Sequence, residues 1–121
     1  MIIIKNQKKN NNDIVKLEYI IKNNFNMNII GYIICIINFI ENNGIITTFN
    51  TFINNKGYGS YLLKVLIKDI VNKYPYIKKI ILDDMSDRFR KKNNIYINNG
   101  FRYLEDSGPE MELLLYNNRY E

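Results

Sequence analysis

The spacing of apolar residues changes abruptly at Asn54–Ser60, which reads Asn-Asn-Lys-Gly-Tyr-Gly-Ser, and this limits the chain to folds in which a strand turns directly into a helix. Before the change, Ile45–Ile53 is β-branched and aromatic. After it, Leu62, Val65, Leu66 and Ile70 form one helical stripe in Gly57–Asn72, widened by Leu63 and Ile67. Gly57 and Gly59 would let the backbone approach a ligand with no Cβ in the way. Unpaired N–H groups and the helix dipole favour an anion at such a turn.

The segments upstream read as strands. Met1–Lys5 is a short one, Asn6–Asn12 a polar linker, and Ile14–Ile21 a partly alternating strand rich in β-formers. Asn23–Asn28 has turn chemistry. Ile29–Ile40 is nearly continuous in apolar residues, as expected of a central strand covered on both faces. Asn42-Asn43-Gly44 closes a hairpin into Ile45–Ile53, completing an antiparallel meander. Lys73–Pro75 ends the helix, so Ile77–Leu82 should be a strand parallel to Ile45–Ile53, reached by a right-handed crossover. Asp87–Asn98 reads as a weaker helix stopped at Gly100. Phe101–Leu104 and Glu110–Tyr116 finish as two strands. The expected class is α+β, a mixed and mostly antiparallel sheet with two helices, in a single domain spanning residues 1–121.

Composition restricts the function classes. The chain is rich in isoleucine, asparagine, lysine and tyrosine, all read from A/T-rich codons, so its asparagine clusters report a genome bias rather than a prion-like tract. A formal charge of +5 suits a polyanionic ligand. With no histidine and one cysteine, neither a zinc site nor an internal disulfide is expected. Cys35 lies in an apolar run and reads as a small buried hydrophobe. Met1–Ile4 is too short for a signal peptide, and Ile29–Ile40 falls short of the ~20 residues that span a bilayer. The expectation is a soluble, intracellular protein without a membrane partner.

Two motifs together resemble the GNAT-type N-acetyltransferases. The first is the strand, turn and helix at Ile46–Leu63, where Asn54, Gly57 and Gly59 are similar to the family's acetyl-CoA signature of Gln or Arg, two residues, Gly, one residue, then Gly or Ala. The second is Tyr96-Ile97-Asn98-Asn99-Gly100-Phe101, which matches the family's Tyr-x-x-x-Gly-Phe. The resemblance covers Ile29 to the C-terminus. It implies two splayed parallel strands with acetyl-CoA as co-substrate in the gap. Pantetheine amides would pair near Phe49 and Thr51, and the pyrophosphate would rest on the backbone of Asn54, Asn55, Lys56, Gly57, Tyr58, Gly59 and Ser60. An amine would attack the thioester directly, its carbonyl polarised by a strand amide such as that of Phe49, and Tyr96 would protonate the departing thiolate.

The chain departs from the family at four places. Asn54 is neutral, and Phe89 stands where an asparagine often contacts pantetheine; Arg88, Arg90 and Lys92 are nearby cations. Ile45–Ile53 holds no acid, which leaves Asp83 and Asp84 as candidate general bases, with Glu112 behind them. Only Asn6–Asp13 separates the first two strands, where the family places two acceptor-binding helices. The acceptor side should therefore be open, suiting a peptide, a polyamine or a site completed by a second copy in a homodimer. The alternative is a catalytically silent acetyl-CoA-binding or interaction domain of the same fold. A basic nucleic-acid module would leave the Gly-Tyr-Gly turn unexplained, and no strand alternates aromatic with basic residues.

Overall fold

The computed structural model describes residues 1–53 and 56–115. The strands are β1 (Ile2–Asn11), β2 (Ile14–Lys22), β3 (Ile29–Asn38), β4 (Asn43–Thr51), β5 (Lys79–Asp83), β6 (Arg102–Tyr103) and β7 (Glu110–Leu114). Helix α1 spans Tyr58–Lys73 and the short α2 spans Ile95–Asn98. They form one sheet in the order β1-β2-β3-β4-β5-β7-β6. All pairings are antiparallel except β4 with β5. Among the described residues no helix is long and apolar enough to cross a membrane.

The meander forms as its periodicity dictates. On β2, Val15, Leu17, Tyr19 and Ile21 are buried, while the residues between them are only half-buried. On β3, Ile33, Cys35 and Ile37 continue the same face. Leu62, Leu63, Leu66 and Ile70 of α1 have no exposed surface and close the core over that face. Burying a leucine of this kind contributes about 1.5–3 kcal/mol, so the stripe is the main attachment of α1. The turn into β4 uses Asn42 at φ +56°, a conformation that asparagine tolerates better than most residues.

Four expectations need correction. The polar run Asn6–Asn12 is not a linker, because β1 continues through Asn11 as an exposed edge strand. Lysine and asparagine are acceptable there, since an edge strand needs only backbone pairing on one side. β3 is covered on one face rather than two, because α1 packs on a single side and the apolar Ile34 and Ile36 remain half-buried opposite it. The helix expected over Asp87–Asn98 is reduced to Ile95–Asn98, its first part being a loop. Strand β5 begins at Lys79, two residues later than the apolar run at Ile77, whose side chain is buried below the sheet's start.

Candidate active site

Pairing between β4 and β5 runs only from Asn43–Lys79 to Ile45–Ile81. A bulge in β4 marks the point of separation. Cys35 pairs with Ile46 but Ile34 pairs with Thr48, so Thr47 is an extra residue on β4. A bulge adds twist and turns its strand away from the neighbour. Beyond it β4 stays with β3, while Leu82 and Asp83 stay with β7. The two parallel strands therefore splay, and a cleft of about 560 Å³ opens between them.

Ile46, Phe49 and Thr51 line one side of this cleft and Leu82 and Asp83 the other, and Tyr96 also lines it. A second cavity of about 870 Å³ shares Thr51, Ser86 and Asp87 with it and continues to Gly57, Tyr58, Gly59 and Ser60 at the start of α1. Together they make one groove from the splay to the helix N-terminus. Of the turn residues, Asn54 and Asn55 lie outside the described residues. Lys56 is exposed beside the groove and is not part of its lining.

The two glycines serve different purposes. Gly57 has φ +78° at the N-cap, and a Cβ there would meet nothing within 4 Å, so its requirement is conformational. Gly59 needs space, because a Cβ would lie 2.9 Å from Ile95 Cδ1 and 3.5 Å from Phe49 Cζ. It brings α1 against α2, and with it Tyr96 toward the cleft. α1 has no side-chain N-cap and no acid in its first turn, which leaves its dipole uncompensated at the groove.

Tyr96 sits between Phe49 and Phe101, with ring centroids 6.0 and 6.1 Å away. It is 8 % exposed. Burial, reinforced by the Asp84 and Tyr103 charges, pushes its phenol up to about 12. The ring is held from below. Asn94 caps α2 by accepting from the Tyr96 N–H at 2.8 Å and the Ile97 N–H at 3.3 Å. The Asn94 amide donates to Asp84 Oδ2 at 2.7 Å and to the Arg88 carbonyl at 3.0 Å.

Asp83 and Asp84 separate sharply. Asp83 is exposed and lines the cleft. Asp84 is 2 % exposed and lines none of the cavities described here. It accepts from the Ser86 N–H and hydroxyl, the Asn94 amide and the Tyr103 hydroxyl. Burial alone would raise its pKa, but the hydrogen bonds from Ser86, Tyr103 and Asn94 outweigh that and hold it below the usual carboxylate value. Its oxygens are fully engaged in holding the 84–94 loop. Glu112 is likewise engaged, with Arg102 at 2.9 Å.

Cys35 is buried and burial pushes its thiol up to about 12, so it packs as a hydrophobe. Of the loop cations, Arg88 lines the second cavity, whereas Arg90 stacks 4.3 Å over Tyr103 and donates to the Glu105 and Gly108 carbonyls. The sequence reading missed Thr47, Ser86, Asp87 and Asn94. Only Asn94 carried a signal, as a capping residue directly before an apolar helical turn.

At the level of sequence the chain matches no protein-family model and no curated protein. Solved structures do match. An acetyltransferase of the GNAT family from Staphylococcus aureus Mu50 superposes with a TM-score of 0.66 at 22% identity, over 83% of this chain and 68% of that one. An acetyltransferase from Bacillus cereus gives 0.66 at 21% identity, over 84% and 74%. The spermidine/spermine N-acetyltransferase SpeG from Vibrio cholerae gives 0.63 at 20% identity, over 88% and 70%. With the splayed β4 and β5, the bulge and the glycine turn, these similarities establish that the chain has the GNAT acetyltransferase fold.

Proposed function

We propose that the protein is an acetyl-CoA-dependent N-acetyltransferase that transfers the acetyl group to a primary amine. The observation that carries this reading is that Tyr96 lines the β4/β5 splay, whose groove runs to the bare N-terminus of α1. The edge of β4 past the bulge offers unpaired backbone groups to pantetheine amides, along Phe49 and Thr51. The α1 turn, from Gly57 through Ser60, offers N–H groups to the pyrophosphate, and Arg88 adds charge from the opposite wall. Lys56 supplies a solvated cation.

In the reaction the amine nitrogen forms a bond to the thioester carbonyl carbon and the carbon–sulfur bond breaks. A β4 amide polarises the carbonyl as its oxygen gains charge. Tyr96 gives its proton to the departing thiolate. A phenol held near 12 stays protonated at neutral pH; being a weaker acid than the thiol it serves, it passes its proton only as the carbon–sulfur bond breaks, and solvent in the open groove reprotonates it. Asp83, the exposed carboxylate on the cleft wall, takes the amine proton directly or through water. Asp84 instead acts as a positioning residue, through Asn94, on α2 and Tyr96.

One observation favours the silent-domain alternative. The better buried of the two carboxylates is sequestered, leaving only exposed acids, Asp83 and the loop residue Asp87, to line the cleft with Tyr96. Calorimetric titration with acetyl-CoA, using ATP as a polyanion control, followed by a thiol-release assay with amines, distinguishes the readings. Selective binding with thiol release supports the transferase; selective binding without release supports the silent domain; equal binding of both nucleotides removes both.

A further inference from the structure

The splay opens to both faces of the sheet. A third cavity, of about 710 Å³, shares Ile46, Thr47, Leu82, Asp83 and Met85 with the cleft. Its other walls include Ile45, Lys79, Ile81 and Glu110. Side chains alternate along a strand, and Ile80 and Leu82 point into the core. Register therefore puts Lys79, Ile81 and Asp83 on the face away from α1, with Ile45 beside Ile81 and Glu110 beside Asp83.

The charge in this trough is arranged end to end. Asp83 and Glu110 stand together at the splay, and among the described residues neither forms a salt bridge. Lys79 stands four positions away along β5, about 13 Å at ~3.3 Å per residue. Between the ends the lining is mostly apolar, with Ile45, Ile81, Leu104 and Met111, and Thr47 is its uncharged polar member. Met85, 84 % exposed, overhangs the junction with the cleft.

We propose that this trough is the acceptor site and that it selects a primary monoamine with an apolar body, excluding linear polyamines. The inference rests on the transferase reading, which puts the thioester in the adjoining cleft. An ammonium at Asp83 and Glu110 is paired with carboxylates at the point where its nitrogen must reach the thioester. Its hydrocarbon body covers Ile45, Ile81 and Leu104. A second ammonium along the same chain loses water against those side chains, where the neighbouring acid, Glu112 beside Ile81, is already paired with Arg102, and a third meets Lys79. An open site alone would admit a polyamine; this distribution of charge opposes one.

The test is calorimetry on the full chain, alone and saturated with CoA, titrated with n-hexylamine and with spermidine. The expected result is hexylamine binding tighter by about tenfold or more. Lys79→Glu should narrow or invert that ratio, Lys79→Met should narrow it less, and Glu110→Gln should weaken both amines. Thiol release from acetyl-CoA should follow the same order in kcat/KM. Spermidine binding as tightly as hexylamine, binding of neither, or a ratio unmoved by Lys79→Glu would overturn the inference. Because amine binding is read without turnover, hexylamine preference without thiol release would overturn the transferase reading alone.

Discussion

Asn94 and Asp84, ten residues apart, are joined by a 2.7 Å hydrogen bond, and the two side chains are 0 % and 2 % exposed. One end of Asn94 is fixed by the carboxylate while the other caps the turn that carries Tyr96. Asn94→Ala removes the cap and strips Asp84 of a donor. The expected loss is about 2–4 kcal/mol, combining a helix cap with an under-satisfied buried carboxylate, read by urea unfolding. Asn94→Asp keeps a capping oxygen but sets two carboxylates together, and should lose at least as much at neutral pH.

Tyr96→Phe separates chemistry from packing. The ring stays between Phe49 and Phe101, so acetyl-CoA affinity and melting temperature should hardly change. Turnover should fall by about a hundredfold or more if the phenol is the general acid. The sign of the pH effect also follows. A tyrosine raised to about 12 is protonated at every pH below that, so the wild-type rate should show no basic limb from Tyr96 up to pH ~10. A basic limb centred near the ordinary phenol value would contradict the burial described here.

How much of this could be read from the sequence depends on what kind of interaction decides each element. The meander and α1 follow local periodicity, and Ile14–Ile21 or the Leu62–Ile70 stripe announce themselves. β1 does not, because Lys8 and Lys9 pair through their backbones alone and an edge strand imposes no side-chain pattern. The loop before α2 misled for the opposite reason. Phe89 and the basic residues around it fit a helical face, but the buried Asp84 and Asn94, joined by the half-buried Tyr103, pull the segment into a loop. Within the site, Tyr96, Gly57 and Gly59 were legible as a motif, and Asp83 as a strand-end acid. The bulge at Thr47 was not, since nothing in Thr47-Thr48 distinguishes an extra residue from a paired one.

Gly57 offers a test of backbone conformation independent of ligand. At φ +78° with empty space where a Cβ would stand, any side chain fits but few tolerate the dihedral. Gly57→Val should destabilise by about 1–2 kcal/mol, whereas Gly57→Asn, which enters the left-handed region more readily, should lose clearly less. Equal losses in the two melting curves would mean that the turn adopts another conformation.

Asp69 anchors α1 to the first hairpin, and its removal should matter more than removal of its cationic partner. It accepts from Lys5 at 2.8 Å and from the hydroxyl of Tyr19, which is 2 % exposed. The Lys5 side chain is 41% exposed, so Lys5→Met should shift stability by less than about 1 kcal/mol. Asp69→Ala leaves a buried hydroxyl without its acceptor and should lose about 1–3 kcal/mol. Burial pushes the Asp69 pKa upward, but the Lys5 and Tyr19 hydrogen bonds prevail and leave it lowered. A carboxylate lowered by folding stabilises the native state above its unfolded pKa, and that contribution disappears as pH falls through the folded value. Asp84 has the same sign. Wild-type stability should therefore be level from pH ~7 to ~5 as far as these groups decide it, then decline below about pH 4. In Asp69→Ala the decline should be shallower, because one of the two titrating anchors is already absent; a decline as steep as in the wild type, measured by urea unfolding at stepped pH, would show that Asp69 carries no linkage.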